Sequence, residues 1–319
     1  SAPCSTIALH RATSTLYCAQ TFNAGAPAGS TPDQNSAHVV AFDVSDRGRP
    51  RVRHPKLLSR LDFLPRDIAV VGDVLLVALM RGGLERASIA ADGSLVGQQV
   101  VALEGHPHLV APLGNTGAVV LTASGDLVRL QVDPDGSVSE VARLALGGPP
   151  IDLRVSGTRV VAALGSEGVA LVDTSGEGLG LVSRLRPGCV AMSGEARGGA
   201  LALACAGTLL LYDISGASPR LAGSVESEQM FMSVAWHGDD LLVSDWNYVV
   251  RYSADSSSSA PAISAPRGIG FSGDARPRLP VRNLGDAPVV VTARHEGESV
   301  FDEFELAPGE RRVLEPGLF

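Results

Sequence analysis

The residues of this chain best suited to chemistry are scattered carboxylates, histidines and arginines, with four cysteines in two short-range pairs. Asp67, Asp152, Glu167, Asp245 and Asn247 supply the oxygen donors that a hard divalent cation such as calcium takes. A cation held that way can polarise a substrate or activate water, which is hydrolase or lactonase chemistry. Arg66, Asp67, Arg81, His106, His108, Trp246 and Asn247 combine charge, imidazole, amide and an aromatic ring, a set that recognises a protein segment or a sugar. His106-Pro107-His108 with Met230-Phe231-Met232 offers the imidazole and thioether that suit copper, although methionines at alternate strand positions also pack cores. No Gly-x-Ser-x-Gly, HExxH or phosphate-binding glycine loop is present, and Gly165-Ser166-Glu167-Gly168 lacks the strand-to-helix setting of a nucleophile elbow.

What must position these residues is a repeat. Phe42-Asp43-Val44-Ser45, Ala87-Ser88-Ile89-Ala90, Leu130-Gln131-Val132-Asp133, Val172-Asp173-Thr174-Ser175, Tyr212-Asp213-Ile214-Ser215 and Tyr252-Ser253-Ala254-Asp255 each close an apolar run and open a polar turn. The second positions, 43, 88, 131, 173, 213 and 253, are spaced by about 40–45 residues, the period of a β-propeller blade. Within each unit a short strand leads to a turn such as Val71-Gly72-Asp73, Leu113-Gly114-Asn115, Ser156-Gly157, Ser193-Gly194 or His237-Gly238-Asp239. An unbroken apolar strand follows, as expected of a strand covered on both faces, then a third and a fourth. Six units of four strands predict an all-β, six-bladed propeller over residues 1–265.

In that frame the links between blades carry Arg66, Asp67, His106, His108, Asp152 and Glu228. Arg81, Glu167, Asp245, Trp246 and Asn247 fall on loops of the same, top face. The long Gly-, Pro- and Asn-rich segment 21–37 lies there too, as ligand contact or as passive cover. Arg47, Arg49, Arg51 and Arg53 alternate along the outermost strand of unit one. They either meet an anionic surface or keep an edge from pairing.

Cys4 with Cys18 and Cys189 with Cys205 bracket the first strand pair of units one and five. Facing residues of an antiparallel hairpin come within disulfide range, so two bonds are expected, each worth about 2–4 kcal/mol, in an oxidising compartment. The start Ser1-Ala2-Pro3-Cys4 reads as that of a processed, exported protein.

Gly168-Val169-Ala170-Leu171-Val172-Asp173-Thr174-Ser175 resembles the phrase that names the LVIVD-repeat propellers of bacterial exported and cell-surface proteins. Residues 39–46 and 209–215 look similar. The resemblance covers about residues 4–262 and implies fold and export; that family brings no shared catalytic set. Units two, three and six depart from it by lacking the aspartate. Residues 266–319 resemble a small Ig-like β-sandwich module, through Asn283-Leu284-Gly285 and Pro308-Gly309-Glu310. At roughly 50 residues the module is shorter than a full sandwich of about 100 and is expected to be truncated at Phe319.

No apolar run reaches the roughly 18 residues of a membrane span, and a net charge of −8 argues against nucleic acid as partner. Of the 26 basic residues only Lys56 is lysine, as a GC-rich genome gives. Two functions follow. The first is a non-catalytic exported propeller that binds or displays a protein or glycan partner at its top face without a cofactor, the Ig-like tail acting as spacer or docking module. The alternative is a calcium-dependent hydrolase or lactonase working in the central channel.

Overall fold

The structure, a computed structural model, describes residues 4–20, 38–46, 49–54, 65–216, 218–227, 230–245, 248–255, 262–271, 279–282, 288–294, 300–307 and 310–314. The expected segment 21–37 and residues Arg47, Glu228, Trp246, Asn247 and 256–261 lie outside that set.

The chain forms a six-bladed β-propeller of four-stranded sheets, divided into two compact units, Ser1–Arg184 and Leu185–Phe319. The first unit holds four blades. They are β1 (Cys4–His10) to β4 (Arg51–His54) through β2 (Thr15–Gln20) and β3 (His38–Asp43); β5 (Asp67–Val71) to β8 (Leu95–Val101) through β6 (Val74–Ala78) and β7 (Leu84–Ile89); β9 (Pro107–Leu113) to β12 (Val138–Ala145) through β10 (Gly117–Thr122) and β11 (Asp126–Val132); and β13 (Asp152–Ser156) to β16 (Gly180–Leu185) through β14 (Arg159–Ala163) and β15 (Val169–Asp173).

The second unit holds β17 (Ala191–Arg197), β18 (Ala200–Cys205), β19 (Thr208–Asp213) and β20 (Arg220–Glu226), then β21 (Ser233–His237), β22 (Asp240–Ser244), β23 (Tyr248–Asp255) and β24 (Ala262–Phe271). The sixth blade's last strand therefore straddles position 265. Beyond it β25 (Leu279–Arg282) pairs with β28 (Arg311–Leu314), and β26 (Val289–Arg294) with β27 (Val300–Leu306).

The unbroken apolar runs are the second strands, and β6, β10 and β18 are buried along their whole length. Their two faces feed layers shared by neighbouring blades. Val71, Leu76 and Leu84 pack with Val110, Val120 and Val128 across blades two and three. Leu121 and Leu127 pack with Val160 and Val172 across blades three and four, and Leu209 and Leu211 pack with Val234 and Leu241 across five and six. One expected turn is misplaced. Gly194 lies inside β17, facing Leu203, and the reversal comes at Gly198 (φ 55°) and Gly199, because β17 keeps pairing with β18 as far as Arg197.

Both disulfides form, Cys4–Cys18 with Cα atoms 5.4 Å apart and Cys189–Cys205 at 5.8 Å. Cys18 sits inside β2 rather than at its end, and Cys189 precedes β17 by two residues.

The repeated phrase is the end of each third strand and the turn after it. In units one, four and five the aspartate folds that turn onto itself. Asp43 accepts the Ser45 amide at 2.9 Å and its hydroxyl at 2.7 Å, and Asp213 accepts Ser215 at 2.9 and 2.6 Å. Asp173 accepts Ser175 at 3.2 and 2.6 Å. Units two and three move the device into the turn, where Asp92 holds the Ser94 amide at 2.9 Å and Asp135 the Ser137 amide at 2.8 Å. Bonds from Ser215, then Arg220, lower the Asp213 carboxyl from an ordinary 3.8 to about 2. Ser45 and then Arg53 depress Asp43 in the same direction. These carboxylates stabilise the fold above the unfolded value, and that contribution is lost as pH falls through the depressed one.

The units without the phrase aspartate carry an arginine two residues earlier: Arg86, Arg129 and Arg251. Arg129 donates to the carbonyls of Thr174 and Gly178, each at 3.3 Å, and of Gly176, so it carries the next blade's turn. Arg86 lies under Gly136 (φ 81°) of the next turn, where an added Cβ would meet its Nη1 at 2.9 Å. Arg251 instead binds Asp240 of its own blade. Unit one does the same job from β4: Arg53 joins Asp43 at 2.7 Å to the Asp92 carbonyl of the next turn at 3.3 Å. Arg53 is thus a structural residue, and not a free part of an arginine edge.

Arg129→Ala should lower stability by about 1–3 kcal/mol in urea denaturation, since it strips three carbonyls of their donor. Arg51→Ala, an exposed strand position, should stay within about 0.5 kcal/mol. Equal losses would show that Arg129 is not what holds the turn. The unreduced protein should weigh about 4 Da less than the reduced one, two hydrogens for each disulfide.

Candidate functional site

Along the chain the first strands alternate in how they begin. β1, β9 and β17 each open with a β-bulge that leaves one extra residue: Ser5, His108 and Met192. β5, β13 and β21 begin in regular register, with Asp67 opposite Ala78, Asp152 opposite Ala163 and Ser233 opposite Ser244. A bulge bends the strand and re-aims its extra side chain. In the first unit, where β1 neighbours β5, β5 neighbours β9 and β9 neighbours β13, this sets His108 on the strand between Asp67 and Asp152.

Asp67 is a pin. Its Oδ1 accepts the Thr6 hydroxyl of β1 at 2.7 Å and the Ile68 amide at 2.9 Å, and its Oδ2 accepts the Val110 amide of β9 at 3.0 Å. Three first strands meet on one carboxylate. Burial pushes its pKa up, with help from the Asp152 charge, against the pull of those three bonds. Asp152 itself is paired with Arg154 at 3.1 Å.

Donors surround these acceptors. Arg66, exposed, is fixed by its own amide on the Ala78 carbonyl and donates from Nη2 to His108 Nε2 at 3.0 Å. The accepting Nε2 places the neutral ring's proton on Nδ1, which is buried and meets no acceptor among the described residues. Burial first, and then the Arg66 charge, hold the His108 pKa below the usual histidine value. Arg81 is exposed on a single 3-10 turn, Met80–Gly82, that packs beside β9. Neither Arg66 nor Arg81 has a carboxylate partner among the described residues, whereas Arg53, Arg143, Arg154, Arg197, Arg220 and Arg251 all do.

Of the expected site residues, Arg66, Asp67, Arg81 and His108 thus gather at one end of blades two and three, and Asp152 is near enough for its charge to act on Asp67. His106 is exposed at the same strand start, and Glu167 lies in the β14–β15 connection with its Cβ near Gly148. Asp245 belongs to the second unit, where its charge adds to the burial that raises the Tyr252 hydroxyl pKa. No three His, Cys, Asp or Glu side chains converge among the described residues. The copper donors divide as well, His106 and His108 in the first unit and Met230–Met232 in the second, where Phe231 is buried edge-on to Tyr252.

Sequence reasoning missed the second unit's own pin. Glu195 of β17 accepts the Trp236 amide of β21 at 3.2 Å, and its carbonyl accepts Trp236 Nε1 at 3.1 Å. Ser193 accepts the Val234 amide at 3.4 Å, and Arg197 covers the Trp236 ring at 5.8 Å. The available signal was a spacing of 41–43 residues between each acceptor and the amide it serves, one blade period.

Asp67→Ala should cost about 1–3 kcal/mol by leaving the partly buried Val110 amide without an acceptor. The sign for pH follows from the raised pKa. Asp67 stabilises the fold below the unfolded carboxyl value, and that contribution is lost as pH rises through the folded one. In carboxyl-carbon NMR titrations Asp67 should titrate above an ordinary aspartate and Asp213 below it, and Asp152→Asn should move Asp67 down. An Asp67 that titrates with the exposed carboxylates would contradict the burial drawn here.

No family model matches the chain, and no curated protein matches it. Many solved structures do. Saccharomyces cerevisiae Sqt1 superimposes with TM-score 0.59 at 12% identity over 98% of this chain and 95% of its own. Chaetomium thermophilum Sqt1 bound to the N-terminus of ribosomal protein L10 does so with TM-score 0.63 at 15% identity, over 94% and 86%. YCF48 bound to D1 peptide gives 0.59 at 12% identity, over 82% and 83%. At these identities the likeness is one of fold.

Proposed function

We propose that this chain is a non-catalytic propeller that binds a segment of another protein at the first-strand ends of blades two and three. The observation that carries the reading is how the polar groups there are used. The carboxylates that hydrolysis would need are engaged, Asp67 by three donors and Asp152 by Arg154, while the exposed Arg66 and Arg81 keep donors to offer. A surface of spare donors on a rigid scaffold suits recognition rather than water activation. Two of the structural neighbours were solved with a protein segment bound, which supports a peptide over a glycan as the partner.

The two disulfides support export to an oxidising compartment, in keeping with the LVIVD-repeat resemblance of the third strands. Residues beyond β24 supply the spacer, read as an Ig-like module. There Glu310 closes its turn on the Ala307 amide at 2.8 Å, and Arg312 covers Phe304 at 4.2 Å.

Selection of a displayed random-peptide library on the full chain tests this. Peptides should be enriched on the wild type and lost on the double variant Arg66→Ala, Arg81→Ala, whose unfolding midpoint should stay unchanged because both side chains are exposed. Peptides that bind the variant equally well would place the contact elsewhere and overturn the reading.

A further inference from the structure

We infer that the segment bound at this site is acidic, that Arg66 and Arg81 take its carboxylates, and that His108 is the residue that positions Arg66. The inference rests on the binding reading above and adds the ligand's charge.

The chain carries 34 acidic and 26 basic residues; six of its arginines pair with carboxylates, and others, such as Arg86, Arg129 and Arg184, rest on amide or carbonyl oxygens of the protein. Neither Arg66 nor Arg81 meets an oxygen acceptor of either kind among the described residues, although Asp67 is adjacent in sequence to one of them. Asp67 faces Thr6 and Val110 and turns its charge into the strand layer, away from Arg66's role. What Arg66 meets instead is an uncharged imidazole that takes one of its five donors and leaves the guanidinium's charge whole. A guanidinium fixed at one corner presents its remaining N–H groups as a fork, the geometry that a carboxylate accepts bidentately.

The bulge explains how this arises. Without the extra residue in β9, position 108 would fall in the alternation of the strand; with it, the ring faces Arg66 across the gap between blades. The ring is kept neutral by burial and by Arg66 itself, which is the state that can accept. The cost is a buried Nδ1 proton with no acceptor, and groups of that kind persist where function needs them. Arg81 stands on the short turn beside β9, a second cation with no intramolecular partner among the described residues. Two uncompensated cations on a net acidic protein mark a place where opposite charge is expected from outside.

Fluorescence anisotropy with a labelled hexaglutamate peptide, a labelled hexaserine peptide and phosphatidylserine vesicles decides it, on the full oxidised chain. Hexaglutamate should bind and hexaserine should not, with affinity falling as salt rises. Arg66→Glu and Arg81→Glu should each weaken hexaglutamate by at least roughly tenfold, the least that loss of a charge-assisted hydrogen bond gives. His108→Leu should weaken it by a similar factor while His108→Gln, which keeps an acceptor for Arg66, restores binding; a merely structural histidine would not be rescued in that way. Equal binding of the serine peptide, indifference to both charge reversals, or binding to vesicles but not to peptide would each overturn the inference. The binding reading fails separately: library peptides that are neutral yet need Arg66 and Arg81 would keep that reading and sink this one.

Discussion

The constraint on which the rest depends is that a propeller blade is a small sheet with two open edges. The amides along its first strand have no fifth strand to receive them, and an unsatisfied buried amide costs about 1–3 kcal/mol. This chain answers with side chains from the preceding blade. Asp67 receives Val110, Ser193 receives Val234 and Glu195 receives Trp236. Each bond both satisfies an edge and ties one blade to the next, so the polar residues of the first strands are spent on cohesion before any is left for a ligand. That is why a carboxylate so placed is a poor candidate for a metal, whatever its residue type.

The opposite ends of the blades solve a related problem by charge. A turn after a third strand exposes carbonyls and amides that need partners. An aspartate at the end of the strand supplies the acceptor within its own turn, and in blade three an arginine two residues earlier, Arg129, supplies the donor for the neighbouring turn. The two residue types replace one another along the chain, with Asp43, Asp173 and Asp213 in units one, four and five and Arg86, Arg129 and Arg251 in the others. At Arg129, what looks in the sequence like decay of the repeat is a second way of fixing such a corner. Arg129 reaches all three carbonyls from its Nη1.

Periodicity carried the blades into view because it is a property of the chain alone: apolar runs of one length, turn glycines and a 40–45-residue spacing need no partner to be recognised. The disulfides were legible for the same reason, since hairpin neighbours are close in sequence. The turn of unit five was misread because Ser193-Gly194 resembles a turn locally, whereas pairing with β18 carries β17 through it. The site was legible only as a collection. Sequence placed Arg66, Asp67, Arg81 and His108 on one face, but could not show that Asp67 points into the strand layer and Arg66 out of it. Nor could it show that a bulge sets His108 between them, because a bulge is a mismatch of two strands and belongs to neither alone.

These two halves fit together through the bulge. Polar side chains in step with a first strand can be claimed by the next blade, as Asp67 on β5 and Ser193 and Glu195 on β17 are. A bulged strand puts one residue out of step, and that residue is released from the pinning pattern. In β9 the released residue is a histidine, placed to hold a neighbouring arginine rather than an amide. In β1 it is Ser5, which turns back to the Ala19 carbonyl at 3.0 Å, next to the Cys4–Cys18 bond; in β17 it is Met192, one position from the strand start that Cys189–Cys205 secures. Two of the three bulges are therefore braced by a disulfide, and the one that is not is the one with spare donors beside it. Strand cohesion and exposed donors compete for the same few residues at a strand's first turn, and at β9 the donors are left exposed.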